Sequence, residues 1–143
     1  MIAIVQARLN SNRLPNKVLM EINKKTILEL VYKRLKKSKY IKKIIFAIPD
    51  DKKNKFLEKK IKKLKFIYYK GSNLNVLKRY FDTAKKFKAN NIVRVTCDCP
   101  LIDTKIIDSM ISFYRKNNVD YLSNNNPPSY PHGMDAEIFS FST

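Results

Sequence analysis

The sequence predicts an α/β domain of three layers, in which a mostly parallel sheet lies between helices on both of its faces. Short apolar runs rich in β-branched residues alternate along the chain with longer segments whose apolar residues recur at helical spacing. The connections between them are only a few residues long, as is typical of parallel α/β sheets. With 143 residues, of which 44% are hydrophobic, the chain has the size and apolar content of one domain, residues 1–143.

The chain opens with a strand, a loop and a helix. Ile2–Val5 is a continuous apolar run and is predicted as a buried strand. The segment Ala7–Lys17 that follows is polar and predicts a loop. A helix is predicted over Thr26–Lys37, because Thr26 and Glu29 have the spacing of a capping box.

The middle of the chain repeats this order. Lys43–Ile48 is predicted as the second strand. The sequence Pro49-Asp50-Asp51 ends that strand and caps a helix that continues through Leu64. Phe66–Tyr69 is predicted as a third short strand, which Gly71 ends.

The last part predicts two helices and three strands. Asn75–Phe87 is predicted as a helix, Ile92–Thr96 as a strand, and Asp103 as the N-cap of a further helix. Asp120–Leu122 and the alternating segment Met134–Phe141 are predicted as the remaining strands. The helix after residue 75 is expected to bury one face, made of Val76, Leu77, Tyr80, Phe81, Ala84 and Phe87.

Composition excludes several classes of site. The chain has only two glycines, so neither a G-x-G-x-x-G dinucleotide fingerprint nor a Walker A loop can be written. Two cysteines and one histidine are too few for an ordinary structural zinc site. The longest apolar runs are far too short for a transmembrane helix or a signal peptide, and a soluble cytoplasmic protein is expected.

The net charge of +18 raises the question of a nucleic-acid partner. Half of the Lys and Arg residues lie between Lys33 and Lys65, on the solvent sides of two predicted amphipathic helices. Aromatic residues do not interleave with these lysines, as a single-strand binding platform would require. We therefore expect a solvated basic face and no nucleic-acid partner, although the charge also suits attraction of a polyphosphate.

The loop after the first strand is the most informative segment. It places Arg8, Arg13 and Lys17, with several backbone N–H groups, at the edge of a parallel sheet where ligands bind. A triphosphate needs this combination of forked guanidinium contacts, a mobile ammonium and amide donors. The alternative is a basic loop with a proline turn, which composition alone favours.

Three acidic residues are candidates for metal binding. Asp98 follows the strand that ends at Thr96 and could hold Mg²⁺ on a phosphate, or it could cap the turn before Pro100. Asp135 and Glu137 are two residues apart on the last predicted strand, so both project to one face. Two acids on one face indicate either a metal site or a buried ion pair.

The remaining reactive side chains give weaker signals. Cys97 and Cys99 are too close in sequence for a good disulfide, and free buried thiols are expected. His132 is the sole histidine and lies in a proline-rich loop, where a catalytic role is the less favoured reading.

Taken together, four segments resemble the cytidylyltransferase family that activates acidic sugars. The resemblance is carried by Gln6–Met20 (QARLNSNRLPNKVLM), by Gly71-Ser72 with Asn75–Tyr80, by Val93–Asp103 (VRVTCDCPLID) and by Asp120-Tyr121 through Glu137. The chain is most similar to the spore-coat-polysaccharide-type branch, which is related to the acylneuraminate and 3-deoxy-manno-octulosonate enzymes. These segments occur in the family's order over nearly the whole chain.

The resemblance implies a nucleotide-diphospho-sugar transferase, Rossmann-like fold and Mg²⁺-dependent transfer of CMP from CTP to an acidic sugar or related acceptor. Pyrophosphate would be released, in the service of surface polysaccharide biosynthesis, and a homodimer is a further expectation. Arg8, Arg13, Lys17 and Asp98 would be catalytic. The nucleotide would be bound by Ala7, Arg8, Ser11, Arg13, Lys17, Gly71 and Ser72, and Mg²⁺ by Asp98, Asp135 and Glu137.

The sequence departs from the family's pattern in two ways. Asn10, Asn16 and Cys97 stand where the family usually has glycine, and Asn is the least costly replacement where φ is positive. Members of the family are also longer, so the chain is expected to be the N-terminal, nucleotide-binding portion, truncated at its C-terminus. A catalytically silent nucleotide-binding fragment and a glycosyltransferase that uses a nucleotide-sugar on the same fold are the alternative functions.

Overall fold

The computed structural model describes residues 1–11 and 13–143; Asn12, in the predicted loop 7–17, lies outside the described residues. The strands are β1 Ile2–Gln6, β2 Glu21–Ile22, β3 Lys25–Thr26, β4 Lys43–Pro49, β5 Ile67–Gly71, β6 Asn91–Thr96, β7 Tyr121–Ser123 and β8 Glu137–Ser140. The α-helices are α1 Ile27–Leu35, α2 Lys55–Lys63, α3 Val76–Lys86 and α4 Thr104–Asn117, with 3-10 helices at Lys17–Leu19 and Lys52–Asn54.

Six strands form one sheet in the order β5-β4-β1-β6-β8-β7. The neighbours β5, β4, β1 and β6 pair in parallel, whereas β8 runs antiparallel to both β6 and β7. The strands β2 and β3 form a separate hairpin, which the sequence did not predict. The prediction of a mostly parallel sheet is confirmed.

Helices cover both faces of the sheet and make the predicted three layers. On one face α1, α2 and α4 pack against alternate residues of the central strands, such as Val5 and Phe46, to form the larger core. On the opposite face α3 packs through Tyr80 and Ala84 against Ile4 and its neighbours. Because successive side chains of a strand point to opposite faces, the continuous apolar run of β1 serves both cores.

The face that α3 buries differs from the predicted one. The structure buries Arg79, Tyr80, Thr83 and Ala84, whereas Leu77 is 78% exposed and Phe81 is also exposed. The apolar surface that α3 covers on this face of the sheet is small, and the helix packs against it through Tyr80 and Ala84. The helix therefore presents a polar flank, including an arginine, to the interior.

The last strand is shorter than predicted, because β8 begins at Glu137 rather than Met134. The residues before it are held by the Asn124 side chain instead of a strand partner. Its amide donates to the Met134 carbonyl at 2.9 Å and its Oδ1 accepts from Ala136 N–H at 2.8 Å. Asp135 consequently lies in the segment that Asn124 holds, before β8, and not on the strand where it was predicted.

The predicted helix caps are confirmed. Thr26 and Glu29 form a reciprocal capping box at the start of α1, and Asp103 accepts from Lys105 N–H at the start of α4. Among residues 1–11 and 13–143, no helix has the length and apolar character needed to cross a membrane.

We expect Thr26→Ala to lower the free energy of unfolding by about 1 kcal/mol, because the N-cap acceptor for Glu29 N–H is lost. Urea denaturation of Thr26→Ala and Thr26→Ser tests this. Serine keeps the hydroxyl and removes the same buried methyl group as a control, so equal losses in the two variants would contradict the capping explanation.

Candidate nucleotide site

The carboxyl ends of four parallel strands lie along one edge of the sheet. In the parallel register Gln6 of β1 is opposite Thr96 of β6, and Pro49 of β4 is opposite Gly71 of β5. This is the edge where parallel sheets bind ligands. Side chains that follow these strands in the sequence can therefore converge on one ligand.

A cleft of about 480 Å³ opens at this edge, beside β1 and β6. Its volume is within the range of small-molecule sites. It is lined by Gln6, Arg8, Asn10, Ser11, Arg13, Lys17, Val18, Thr96 and Asp98. The structure thus brings together the basic loop (residues 7–17, described except for Asn12) and Asp98, as the sequence predicted.

Leu9 organises the basic loop. Its carbonyl accepts from Ser11 N–H at 2.9 Å and from Asn16 N–H at 3.0 Å, which closes the loop on itself. Asn16 has φ 59°, a left-handed conformation in which asparagine is tolerated, and the 3-10 helix begins at Lys17. Asn10, the other predicted glycine substitute, is not among the positive-φ residues of the described chain.

Two residues of the cleft lining, Lys17 and Asp98, form an ion pair. The Lys17 ammonium donates to Asp98 Oδ2, and both side chains remain partly exposed. Partial burial raises the pKa of Asp98, but contacts with Lys17 and Thr96 outweigh it and hold that pKa below its usual range. At neutral pH the cleft therefore holds an ionised carboxylate beside its cations.

Asp135 and Glu137 lie in a smaller neighbouring cavity of about 130 Å³. The cavity is lined by Arg94, Thr96, Asn125, Asp135, Ala136 and Glu137, so Thr96 forms a wall of both spaces. Glu137 accepts a hydrogen bond from the Arg94 guanidinium, its direct partner in the antiparallel register. The sequence left open whether Asp135 and Glu137 form a metal site or an ion pair. The structure shows an ion pair for Glu137.

The three predicted metal ligands do not form one cluster. Among residues 1–11 and 13–143, no group of three His, Cys, Asp or Glu side chains is arranged to hold a metal ion. Asp98 lines the cleft and Asp135 lines the smaller cavity, on the two sides of Thr96. Mg²⁺ takes one or two carboxylates together with substrate phosphates, so the chemistry of these donors fits that ion.

The remaining predicted residues lie apart from the cleft. Ala7 is buried and its N–H donates to the Ala47 carbonyl at 3.2 Å, so that donor is used within the sheet. Gly71 and Ser72 end β5 at the same edge but do not line the cleft. The His132 side chain is 99% exposed, and its Nδ1 lies 3.7 Å from Asp135 Oδ2.

The two cysteines are free and buried, as predicted. Burial raises the pKa of the Cys97 thiol, and the Asp98 charge adds to the effect. A thiol held in its neutral form is a poor nucleophile and a poor metal ligand. The cysteines therefore contribute packing rather than chemistry.

Gln6 and Thr96 line the cleft, although the sequence did not predict them as site residues. Each is the last residue of a parallel strand. Because ligands bind beyond the carboxyl ends of parallel strands, this position could have identified both residues from the sequence. Asn10 and Val18 complete the lining and carry no comparable signal in the sequence.

Comparison with known proteins places these features in a family context. Residues 2–131 match the family model described as "Cytidylyltransferase". An uncharacterized protein of Methanocaldococcus jannaschii is 37% identical over 140 residues, which are 98% of this chain and 56% of that protein. The spore coat polysaccharide biosynthesis protein SpsF of Bacillus subtilis is 31% identical over 122 residues, 82% of this chain and 51% of SpsF.

A 3-deoxy-manno-octulosonate cytidylyltransferase of Solibacter usitatus is 30% identical over 110 residues, covering 77% of this chain and 43% of the relative. Among solved structures, a cytidylyltransferase from Leptospira borgpetersenii superposes with a TM-score of 0.91 at 35% identity. That match covers 99% of this chain and 60% of the other. The chain thus spans about half the length of the curated relatives it matches.

We expect Asn16→Val to lower the free energy of unfolding by about 1–2 kcal/mol, because a β-branched side chain is strained in the left-handed conformation. Asn16→Gly should stay within about 0.5 kcal/mol of the parent. Urea denaturation measures both, with Asn10→Val in the same loop as the control. If the valine variants at 16 and 10 lose equal stability, the backbone conformation at residue 16 is not the cause.

Proposed function

Since the chain belongs to the cytidylyltransferase family, we propose that it binds CTP in the cleft and transfers CMP to a sugar-type acceptor, releasing pyrophosphate. The observation that carries the proposal is the convergence of Arg8, Arg13 and Lys17 on one cleft with Asp98 at its wall. Three positive side chains can bind the oxygens of a triphosphate, and the Asp98 carboxylate can bind the metal ion that accompanies it.

In the proposed complex the basic loop binds the triphosphate. Arg8 and Arg13 supply forked contacts to phosphate oxygens, and the Ser11 hydroxyl is a further donor within the same lining. Lys17 leaves Asp98 to contact the phosphates, since a triphosphate offers more negative charge than one carboxylate. The ion pair with Asp98 thus keeps the lysine charge in the lining of the cleft.

The acceptor hydroxyl oxygen attacks the α-phosphorus in line with the bond to the β-phosphate. A new O–P bond forms, the α–β bridge breaks, and pyrophosphate leaves with the electron pair. The chain's main contributions are positioning and the neutralisation of charge on the leaving group by Arg8, Arg13 and Lys17. Because Glu137 is held by Arg94, we assign the acceptor's proton to water rather than to that carboxylate.

Mg²⁺ would be held by Asp98 in the cleft, with Asp135, across the shared wall of Thr96, as the candidate for a second carboxylate. When bound, it would supply Lewis-acid polarisation of the α-phosphate. Glu137 would support the site indirectly, by holding Arg94 at the cavity next to Asp135.

The proposed acceptor is an acidic sugar or a related polyol derivative, in a pathway for surface polysaccharide. Two relatives support this, one named for spore coat polysaccharide biosynthesis and one for 3-deoxy-manno-octulosonate, a sugar acid. The small cavity bounded by Arg94, Asn125 and Asp135 shares Thr96 with the cleft and is the place we assign to part of the acceptor. The net charge of +18 favours anionic substrates in general.

A second candidate function is nucleotide binding without turnover. It is favoured by one observation, that Lys17 is paired with Asp98, the carboxylate proposed to hold the metal. The two functions share the CTP site and differ only in whether an acceptor is processed.

We expect CTP to be preferred in a panel that offers each nucleoside triphosphate with Mg²⁺ and several 2-keto sugar acids or polyol phosphates. Pyrophosphate release measures turnover, and equilibrium binding of each nucleotide is measured in parallel. Binding of CTP without release, across all acceptors, would favour the silent binding module. Absence of any nucleotide binding would refute both functions.

We expect Asp98→Asn to lower Mg²⁺-dependent pyrophosphate release about 100-fold or more, because the carboxylate proposed to carry the metal is lost. CTP affinity measured with EDTA should be kept or rise, since one negative charge leaves the cleft. Asp82→Asn is the matched control, because Asp82 pairs with Lys78 on the surface of α3. Undiminished turnover in Asp98→Asn would remove the metal role.

A further inference from the structure

A buried polar network leads from the basic loop to the start of the segment between β4 and α2. Asn54, only 1% exposed, accepts a hydrogen bond from Leu9 N–H through its Oδ1 at 2.9 Å. Its backbone N–H and side-chain amide both donate to Asp51 Oδ1, each at 2.8 Å. Because the Leu9 carbonyl closes the loop, Asn54 and Asp51 fix the residue on which the loop is organised.

A buried arginine holds the neighbouring turn in a similar way. Arg79 of α3 is fully buried, and its Nη1 donates to the Ser72 carbonyl. A Cβ placed at Gly71 would lie 3.1 Å from Arg79 Cγ, so the backbone of the turn rests directly on the arginine side chain. The same Cβ would lie 3.2 Å from Tyr69 Cε1, so both side chains would have to shift to admit alanine at residue 71.

Both halves of this network keep hydrogen-bonding groups that have no partner among the described residues. Arg79 Nε and Nη2 and Asp51 Oδ2 are buried without a partner in the described part of the chain. Buried polar groups in folded proteins are nearly always paired, so these atoms call for an explanation. Burial lowers the pKa of Arg79. The two segments meet through the backbone, where Asp50 N–H donates to the Gly71 carbonyl at 2.9 Å.

We propose that Arg79 is a positioning residue for nucleotide binding, which sets the Gly71–Ser72 turn, while Asn54 and Asp51 set the basic loop. The inference rests on the proposed function, in which the basic loop binds the triphosphate and the turn lies against the nucleoside. The two loops lie at the same sheet edge, so one nucleotide can contact both. Arg79 then acts on the nucleoside part of the ligand, whereas Asn54 acts on the phosphate part.

The test compares the binding of CTP with that of inorganic tripolyphosphate, which has no nucleoside. We expect Arg79→Met to weaken CTP about tenfold and tripolyphosphate by less than about twofold, because only the turn loses its support. Arg79→Lys, which can still donate to the Ser72 carbonyl, should recover part of the CTP affinity. Asn54→Ala should weaken both ligands, since it releases Leu9.

Two further variants separate positioning from general effects on charge and folding. Gly71→Ala keeps every charge but moves the turn off Arg79, and it should also weaken CTP selectively. Lys78→Met removes one exposed positive charge from the same helix and should change neither affinity by more than about twofold. Circular dichroism and urea denaturation confirm that each variant is folded under the binding conditions.

The outcomes divide as follows. A selective loss of CTP binding in both Arg79→Met and Gly71→Ala supports the inference. Equal loss of both ligands in folded Arg79→Met, or no loss of either, overturns it and leaves the proposed function intact. If the parent chain binds tripolyphosphate but not CTP, the proposed function fails instead. Should Arg79→Met not fold, Gly71→Ala alone decides between these results.

Discussion

The parallel pairing of β1 with β6 is the constraint on which the candidate site depends. It places Gln6 opposite Thr96, so the basic loop that follows one strand meets Asp98, which follows the other. A shift of register would move the apolar residues of β1 out of their two cores, so packing holds the register fixed. The stability of the core and the geometry of the cleft thus have the same origin.

Around that edge, opposite charges are paired in ways that leave the cleft ready for an anion. Lys17 is paired with Asp98, and Arg94 is paired with Glu137, while Arg8 and Arg13 line the cleft. These pairs are partly exposed, so each contributes little to stability and is inexpensive to rearrange. A polyanionic ligand can therefore recruit the lysine without a large energetic cost.

The polar contacts beneath the surface behave differently. Asn54 and Arg79 are fully enclosed, and each holds a backbone group of a loop rather than a ligand. Groups so buried are costly to leave unpaired, which makes them effective at fixing loop positions. The candidate site thus consists of partly exposed charges on loops whose backbone is held by buried side chains.

The sequence by itself determined most of the strands and helices, the mostly parallel character of the sheet, the caps at Thr26 and Asp103, and the meeting of the basic loop with Asp98. Apolar periodicity and local capping carry that information, because they act within one segment. Only the tertiary structure decided which face α3 buries, that Glu137 would pair with Arg94, and that Asp135 would leave its strand. These outcomes depend on partners such as Arg94 and Glu137, 43 residues apart, and no local pattern specifies which charges meet.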